Sequence, residues 1–270
     1  MRLGFISDLH IDVNPQATAE DYFDALVEII KQMRLDMFFI GGDVANHYSL
    51  TLSFVENLQT QLHIPVYFIP GNHDYWQMEG IELTGNQIHT KFVQHPQSLL
   101  NKPLKLNLDV GLVGHVAWYN HAYHAPGFSE AELDAGKYRH GRWQDKAYIE
   151  WEQSDKELSS QFAKEIQADI EAVGSKQIIL LTHMITYPGF VVPMPHKVFD
   201  FFNAFIATDD ILPFYHHYPI THSIMGHVHF RAQRDYQQTK MIVNSLGYGR
   251  QWWTKSLREE LKQSIYVINV

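Results

Sequence analysis

The chain contains no cysteine. That excludes a disulfide framework, thiolate zinc sites, iron–sulfur ligation and a cysteine nucleophile together. It is also poor in basic residues. Lys and Arg number 21 against 30 Asp and Glu, a formal net charge of −9. A long nucleic acid is held by a basic surface that neutralises its phosphates, so this balance argues against such a partner. No apolar run reaches the roughly 18 residues of a membrane-spanning helix. The opening MRLGFISDLH lacks the basic stretch that precedes the apolar core of a secretory leader. The expected location is therefore cytoplasmic, with no membrane partner. There is no G-x-S-x-G stretch, no internal repeat and no low-complexity linker. The first of these absences removes the nucleophile-elbow serine hydrolases.

Histidine is abundant, 17 in 270 residues. Chance scatter over surface and core accounts for many of them, so spacing must decide whether some are ligands. At about 150 residues per domain the length allows one large domain or two small ones. The apolar pattern alternates buried strands with amphipathic helices. Strands are predicted at Leu3–Ser7, Asp36–Ile40 and Pro65–Ile69, with helices over Pro15–Arg34 and Leu50–Leu62 between them. The rhythm resumes with strands at Gln177–Thr182 and Thr221–Met225, a helix over His196–Ala207, and closing strands at Met241–Asn244 and Ile265–Val270. Residues 75–176 are less regular. They hold strands near Leu104–Leu108 and Leu112–Trp118, and a long polar helix near Asp145–Val173. The expectation is one α/β domain spanning residues 1–270, with an insertion at about 75–176 that shapes a substrate pocket.

Polar clusters follow the buried strands. Asp8 and His10 come after the first, Asp43 and Asn46 after the second, and Asn72, His73 and Asp74 after the third. His183 ends a fourth strand, and His227 and His229 follow a fifth. In open α/β sheets ligands bind outside the carboxyl ends of the strands. Taken singly each cluster is weak. Asn72 suits a turn after Pro70-Gly71, and Asp74 suits a helix cap. Five clusters in one structural context make a stronger pattern. Aspartate, asparagine and histidine together favour Mn²⁺, Fe or Zn²⁺ over softer metals.

D-x-H, G-D-x-x-N, G-N-H-D, a lone strand-end His and G-H-x-H, in that order, resemble the calcineurin-like metallophosphoesterases. The resemblance runs from Asp8 to His229 and leaves out residues 75–176 and the tail. It implies a four-layer αββα sandwich of two mixed β-sheets flanked by helices. It also implies a centre of two metal ions, Mn, Fe or Zn. Asp8, His10, Asp43 and His229 would hold one ion. Asp43, Asn72, His183 and His227 would hold the other, with Asp43 bridging. The implied activity is hydrolysis of a phosphomonoester or phosphodiester, by in-line attack of a metal-bridging hydroxide. The resemblance gives His73 a contact to the scissile phosphate or leaving oxygen, and Asp74 the task of orienting it. Asn46 stands where the family often has Asp or Asn.

Outside the resemblance, Arg231, Arg139 and Arg142 are candidates for binding substrate phosphate. Trp118, Tyr119, His121, Tyr123 and His124, and separately Trp252 and Trp253, are candidates for walling the site or for packing. The substrate is expected to be a small-molecule or protein phosphate ester. Two further readings stay open: a partner-binding scaffold that keeps the fold without catalysis, and a specialised cyclic-nucleotide or nucleic-acid phosphodiesterase.

Overall fold

The computed structural model describes residues 1–270. In chain order the elements open with β1 (Arg2–Ile6), α1 (Ala19–Met33), β2 (Met37–Gly41), α2 (Tyr48–Leu62) and β3 (Val66–Ile69). Then come α3 (Gly85–Gln94), β4 (Leu104–Lys105), β5 (Val110–His115), α4 (Glu130–Ala135), β6 (Lys137–Tyr138), β7 (Gly141–Arg142) and α5 (Asp145–Tyr148). They continue with α6 (Asp155–Val173), β8 (Gln177–Thr182), α7 (Phe199–Phe202), α8 (Phe214–His217) and β9 (Ile220–Met225). The chain closes through β10 (Arg231–Tyr236), β11 (Thr239–Asn244), α9 (Leu257–Ser264) and β12 (Tyr266–Asn269). No helix is long and apolar enough to cross a membrane.

Two mixed sheets result. One has the order β12-β1-β2-β3, the other β10-β11-β9-β8-β5-β4. Alternation along the strands shows how they pack. Leu3, Phe5, Phe39 and Ile69 of the first sheet form one cluster with Leu112, Ile179, Leu181, Ile224 and Ile242 of the second. The intervening residues Ile6, Phe38, Ile40 and Phe68 belong instead to the larger core, with Leu26 and Ile30 of α1 and Val55 and Leu58 of α2. The sheets therefore lie face to face with helices outside, which is the αββα sandwich. A parallel bridge from Ser7 to Ser245 joins the sheets at the C-terminal end of β1.

The segment 75–176 is not a single insertion. β5 pairs with β8 in parallel and with β4 in antiparallel fashion, so this stretch supplies two strands of the second sheet. The connection from β5 to β8 runs through α4, β6, β7, α5 and finally α6. Strand order is a long-range property that local pattern does not report. The helix read over Asp145–Val173 is two helices, because Ser154 and Glu157 form a capping box that starts α6 afresh. The helix read over His196–Ala207 shrinks to one α-helical turn and one 3-10 turn. β10 and α9 have no counterpart in the sequence reading. β10 is an edge strand whose burial is mostly partial or absent, so it lacks an apolar signature.

Asp169 on α6 is buried with Oδ2 lacking any hydrogen-bond partner. Burial, with Glu165 nearby, raises its carboxyl to about 6. The unfolded chain releases that proton near pH 4. Between these values the folded state holds a proton the unfolded state has lost, so stability falls as pH rises from 4 to 6. Asp169→Asn should therefore stabilise the protein above pH 6 by about 1 kcal/mol after solvent screening. That corresponds to a Tm gain of about 2–4 °C at pH 8, vanishing below pH 4. A gain of equal size at both pH values would show that the charge is not its source.

Candidate metal centre

Every cluster lies just past the carboxyl end of a strand, and the sandwich brings these ends together. Backbone geometry there is unusual. Asp8, His10, Asp43 and His227 take positive φ, between 46° and 68°. Side-chain-bearing residues adopt this conformation at a cost of order 1–3 kcal/mol each, and such positions concentrate at functional sites. Gly42, at φ 92°, makes the crossing of two loops feasible. A Cβ on it would lie 2.5 Å from the Gly71 nitrogen. A Cβ on Gly71 would lie 2.2 Å from Asp43 Oδ1.

The donor atoms form two groups that share Asp43. Asp8, His10, Asp43 and His229 offer ligand atoms that all lie within 4.8 Å of one another, as do Asp43, His183 and His227. Asp43 Oδ2 is 3.6 Å from His10 Nε2, and Oδ1 is 3.4 Å from His183 Nε2. His229 Nε2 is 3.4 Å from Asp8 Oδ1. Asn72 Oδ1 is 3.0 Å from both His183 Nε2 and His227 Nδ1.

The outer nitrogens fix which lone pairs point inward. His183 Nδ1 donates to the Gly41 carbonyl, His227 Nε2 to the Phe205 carbonyl, and His229 Nδ1 to Gln251 Oε1. Each of these histidines therefore presents its other nitrogen to the centre, as metal-ligating imidazoles do. His10 Nδ1 has no partner, while its Nε2 lies 3.1 Å from His229 Nε2. Two imidazole nitrogens facing each other need a proton or a cation between them.

Electrostatics point the same way. Burial would raise the Asp8 carboxyl, but the hydrogen bond from His229 and the charge of His183 hold it well below its usual value. Burial works against Asp43 likewise, and its histidine neighbours, His183 foremost, depress it. Burial would lower His183, yet Asp43 pushes it up to about 9. Burial and the nearby His183 push His227 down to about 3. The carboxylates draw positive charge into a buried site. Two cations would supply that charge and release the histidine protons. The donor set fits such ions: hard carboxylate and amide oxygens with borderline imidazoles suit Mn²⁺, Fe or Zn²⁺.

His73 stands beside the centre, its Nε2 3.9 Å from Asp43 Oδ2. Its Nδ1 donates to Asn46 Oδ1 at 2.7 Å, and its ring stacks on Trp76 at 3.6 Å. Asn46 therefore orients His73, and the role expected of Asp74 is corrected. Asp74 accepts from the backbone N–H groups of Asp43, Val44, Ala45 and Gly71 and from the Thr51 hydroxyl. It ties the Asp43 loop to the Gly71 loop and does not touch His73. Spacing alone cannot distinguish these roles, because Asp74 is adjacent to His73 in sequence but turns the other way in a 3-10 turn.

The arginines separate as well. Arg142 lines the cleft over the centre. Arg231 does not: it pairs with Glu260 at 2.7 Å, donates to Ser264, and lies under the Trp253 ring. It pins β10 to α9 and has no free face for phosphate. Arg139 sits in the β6–β7 turn over the Tyr138 ring, away from the cleft lining. Trp118 and Tyr119 are buried packing residues. Tyr248 is the tail aromatic at the site, tilted against His10 and edge-on to His229, whereas Trp253 is exposed.

Gln251 and Asp145 escaped the sequence reading. Asp145 is buried and accepts from Asn72, Trp76, Trp143 and Tyr119. No motif marks it. Two further groups of acids and histidines exist, His89–His115–Glu165 and His121–Asp134–Asp155. In the first, the Ala117 N–H donates to His115 Nδ1, so the neutral ring carries its proton on Nε2, facing Glu165. In the second, Lys146 already neutralises Asp155.

Comparison with known proteins agrees with this geometry. A curated probable cyclic nucleotide phosphodiesterase of Pseudoalteromonas sp. (strain SM9913) is 35% identical over 83 residues, covering 27% of this chain and 31% of that relative. The match thus spans under a third of the relative's length. A phosphopantetheinyl hydrolase from Mycobacterium tuberculosis superposes with TM-score 0.76 at 17% identity, covering 98% of this chain and 95% of that one. A dimetal phosphatase from Danio rerio gives TM-score 0.52 at 12% identity, covering 90% and 86%. At such identities the likeness is one of fold. The profile of the calcineurin-like phosphoesterases matches residues 1–231, which include every residue of both donor groups. The chain belongs to the calcineurin-like phosphoesterase family.

Proposed function

We propose that the protein is a metal-dependent hydrolase of small phosphodiesters. Asp8, His10, Asp43 and His229 would hold one cation, and Asp43, Asn72, His183 and His227 the other. Bound there, two cations would acidify water and offset charge on the phosphoryl oxygens. The observation that carries the choice of a diester is the wall of the cleft. It encloses about 260 Å³ and is lined by Trp76, Trp143 and Tyr248, with Arg142 as its one basic side chain apart from the histidines. Beyond the two cations, Arg142 alone would hold the additional charge of a monoester dianion. A diester carries one charge and a second organic group, which aromatic faces can support. His73, fixed by Asn46 and Trp76 with Nε2 beside Asp43, would serve the leaving oxygen. The name of the Pseudoalteromonas relative supports the same reading. A scaffold without catalysis is disfavoured because no member of either donor set is missing.

The test is a Mn²⁺-supplemented assay of bis-p-nitrophenyl phosphate, p-nitrophenyl phosphate, cyclic nucleotides and a phosphopeptide. A diester kcat/KM exceeding that of the monoester by at least about tenfold, equivalent to roughly 1.4 kcal/mol, is expected. A monoester or phosphopeptide turned over faster than every diester would overturn the assignment. A protein that binds no metal would return it to the scaffold reading.

A further inference from the structure

We propose that Asp145 is a positioning residue that aims the Asn72 amide oxygen into the metal centre, and that the same carboxylate ties this aim to the two indole walls of the cleft. The inference rests on the metal-centre reading above. An asparagine side chain can turn by half a rotation and exchange its oxygen for its NH₂ group with little change in shape. Only the oxygen can hold a cation. Asn72 Oδ1 faces His183 Nε2 and His227 Nδ1, while its Nδ2 donates to Asp145 Oδ1 at 2.8 Å. Turning the amide would set its oxygen against a carboxylate oxygen and its NH₂ group at the cation position. Asp145, an acceptor with no proton to give when ionised, excludes that state.

The carboxylate has two more duties. Oδ1 also accepts from Trp76 Nε1 at 2.7 Å, and Oδ2 accepts from Trp143 Nε1 at 2.8 Å and the Tyr119 hydroxyl at 3.1 Å. An indole N–H is a donor only, so each ring is fixed by the one acceptor it reaches. Trp76 in turn stacks on His73, and Trp143 stacks on Phe205 at 5.2 Å, the residue whose carbonyl holds His227. One buried acid thus connects a ligand, the ring that supports His73 and the ring beside His227.

The experiment is a calorimetric titration of the metal-stripped full chain with Mn²⁺. Wild type should bind about two equivalents. In Asp145→Asn, the new amide must turn its NH₂ group toward one pair of donors. If it meets Asn72 and Trp76, the aim of Asn72 is lost; if it meets Trp143, that ring is repelled and disturbs Phe205, whose carbonyl holds His227, a donor to the same cation as Asn72. Support of a ligand is worth about 10–100-fold in metal affinity, so one equivalent should weaken by that factor and the other stay unchanged. Adding Trp143→Phe removes the N–H that cannot accept. The new NH₂ group can then donate to the Tyr119 oxygen, and about tenfold of the affinity should return. A structural defect would deepen with the second substitution instead. Unchanged affinity in Asp145→Asn, equal weakening of both equivalents, or no recovery in the double variant would each overturn the proposal while wild-type binding upholds the metal centre. Absence of Mn²⁺ binding by wild type would overturn both. A measurement on wild type needs no variant to fold: the Asn72 side-chain amide protons should exchange with deuterium as slowly as core backbone amides, and fast exchange would defeat the proposal.

Discussion

Asp43→Ala is expected to empty both metal positions and abolish turnover. Asp43 is the one residue common to the two donor groups, and its oxygens divide between them. Oδ2 faces His10 and Oδ1 faces His183. Removing it takes away one ligand from each ion and the negative charge that separates them. The repulsion between two cations in a buried site would then be offset by one carboxylate fewer, with Asp8 alone remaining. Oδ1 also accepts from the His73 backbone N–H, so the loop carrying His73 loses an anchor. Two-metal chemistry supplies several kcal/mol of transition-state stabilisation, so a fall on the order of 10⁴-fold or more in kcat/KM should follow. Elemental analysis after purification in Mn²⁺ checks the metal part separately from the rate. Asp43 also adopts φ 53°, a conformation less costly for aspartate than for alanine. The circular dichroism of the variant should be recorded beside its metal content. Two metals per chain in a folded Asp43→Ala protein would remove the bridging role.

His73→Asn is expected to keep both metals and lose about 10²–10⁴-fold in kcat on an alkyl diester, the range of a positioned acid. His73 belongs to neither donor group, so metal content has no reason to change. Its ring is clamped between Asn46 and Trp76, with Nε2 toward the centre. Burial lowers its pKa from the ordinary histidine value. The proton on Nδ1 is committed to Asn46, so proton donation requires the imidazolium form. The leaving group separates two roles. If Nε2 donates a proton, the deficit shrinks toward unity with p-nitrophenyl esters, whose leaving group departs unaided. If Nε2 contacts a phosphoryl oxygen, the deficit is equal for both esters. Asn46→Ala should reproduce part of the loss, because it frees the ring without removing it. No deficit on either ester would take His73 out of the reaction.

Local pattern singled out residues that the structure brings together as candidate donors. Asp8, His10, Asp43, Asn72, His183, His227 and His229 stand one to four residues past the ends of buried strands, and strands of four to six apolar residues are visible in sequence. In a parallel βα arrangement such offsets lead to one rim of a sheet, whereas the meeting of the two sheets' rims was decided by the sandwich. The supports of the site were not legible in the same way. Asp74 lies beside His73 in sequence but serves backbone N–H groups about thirty residues earlier. Asp145 reaches Asn72 across 73 positions, and Gln251 reaches His229 across 22. Arg231 sits two residues after a ligand, yet strand alternation and Glu260 direct it away from the centre. Ligand identity travels with short-range chemistry, residue type and spacing from a strand end. Hydrogen-bond partnership in a buried network depends on which loops the closed sandwich brings within about 3 Å. Residues 75–176 divide for the same reason. Strand pairing placed β5 inside the second sheet, and only then did Trp143 and Asp145 come to stand over a centre assembled from the rest of the chain.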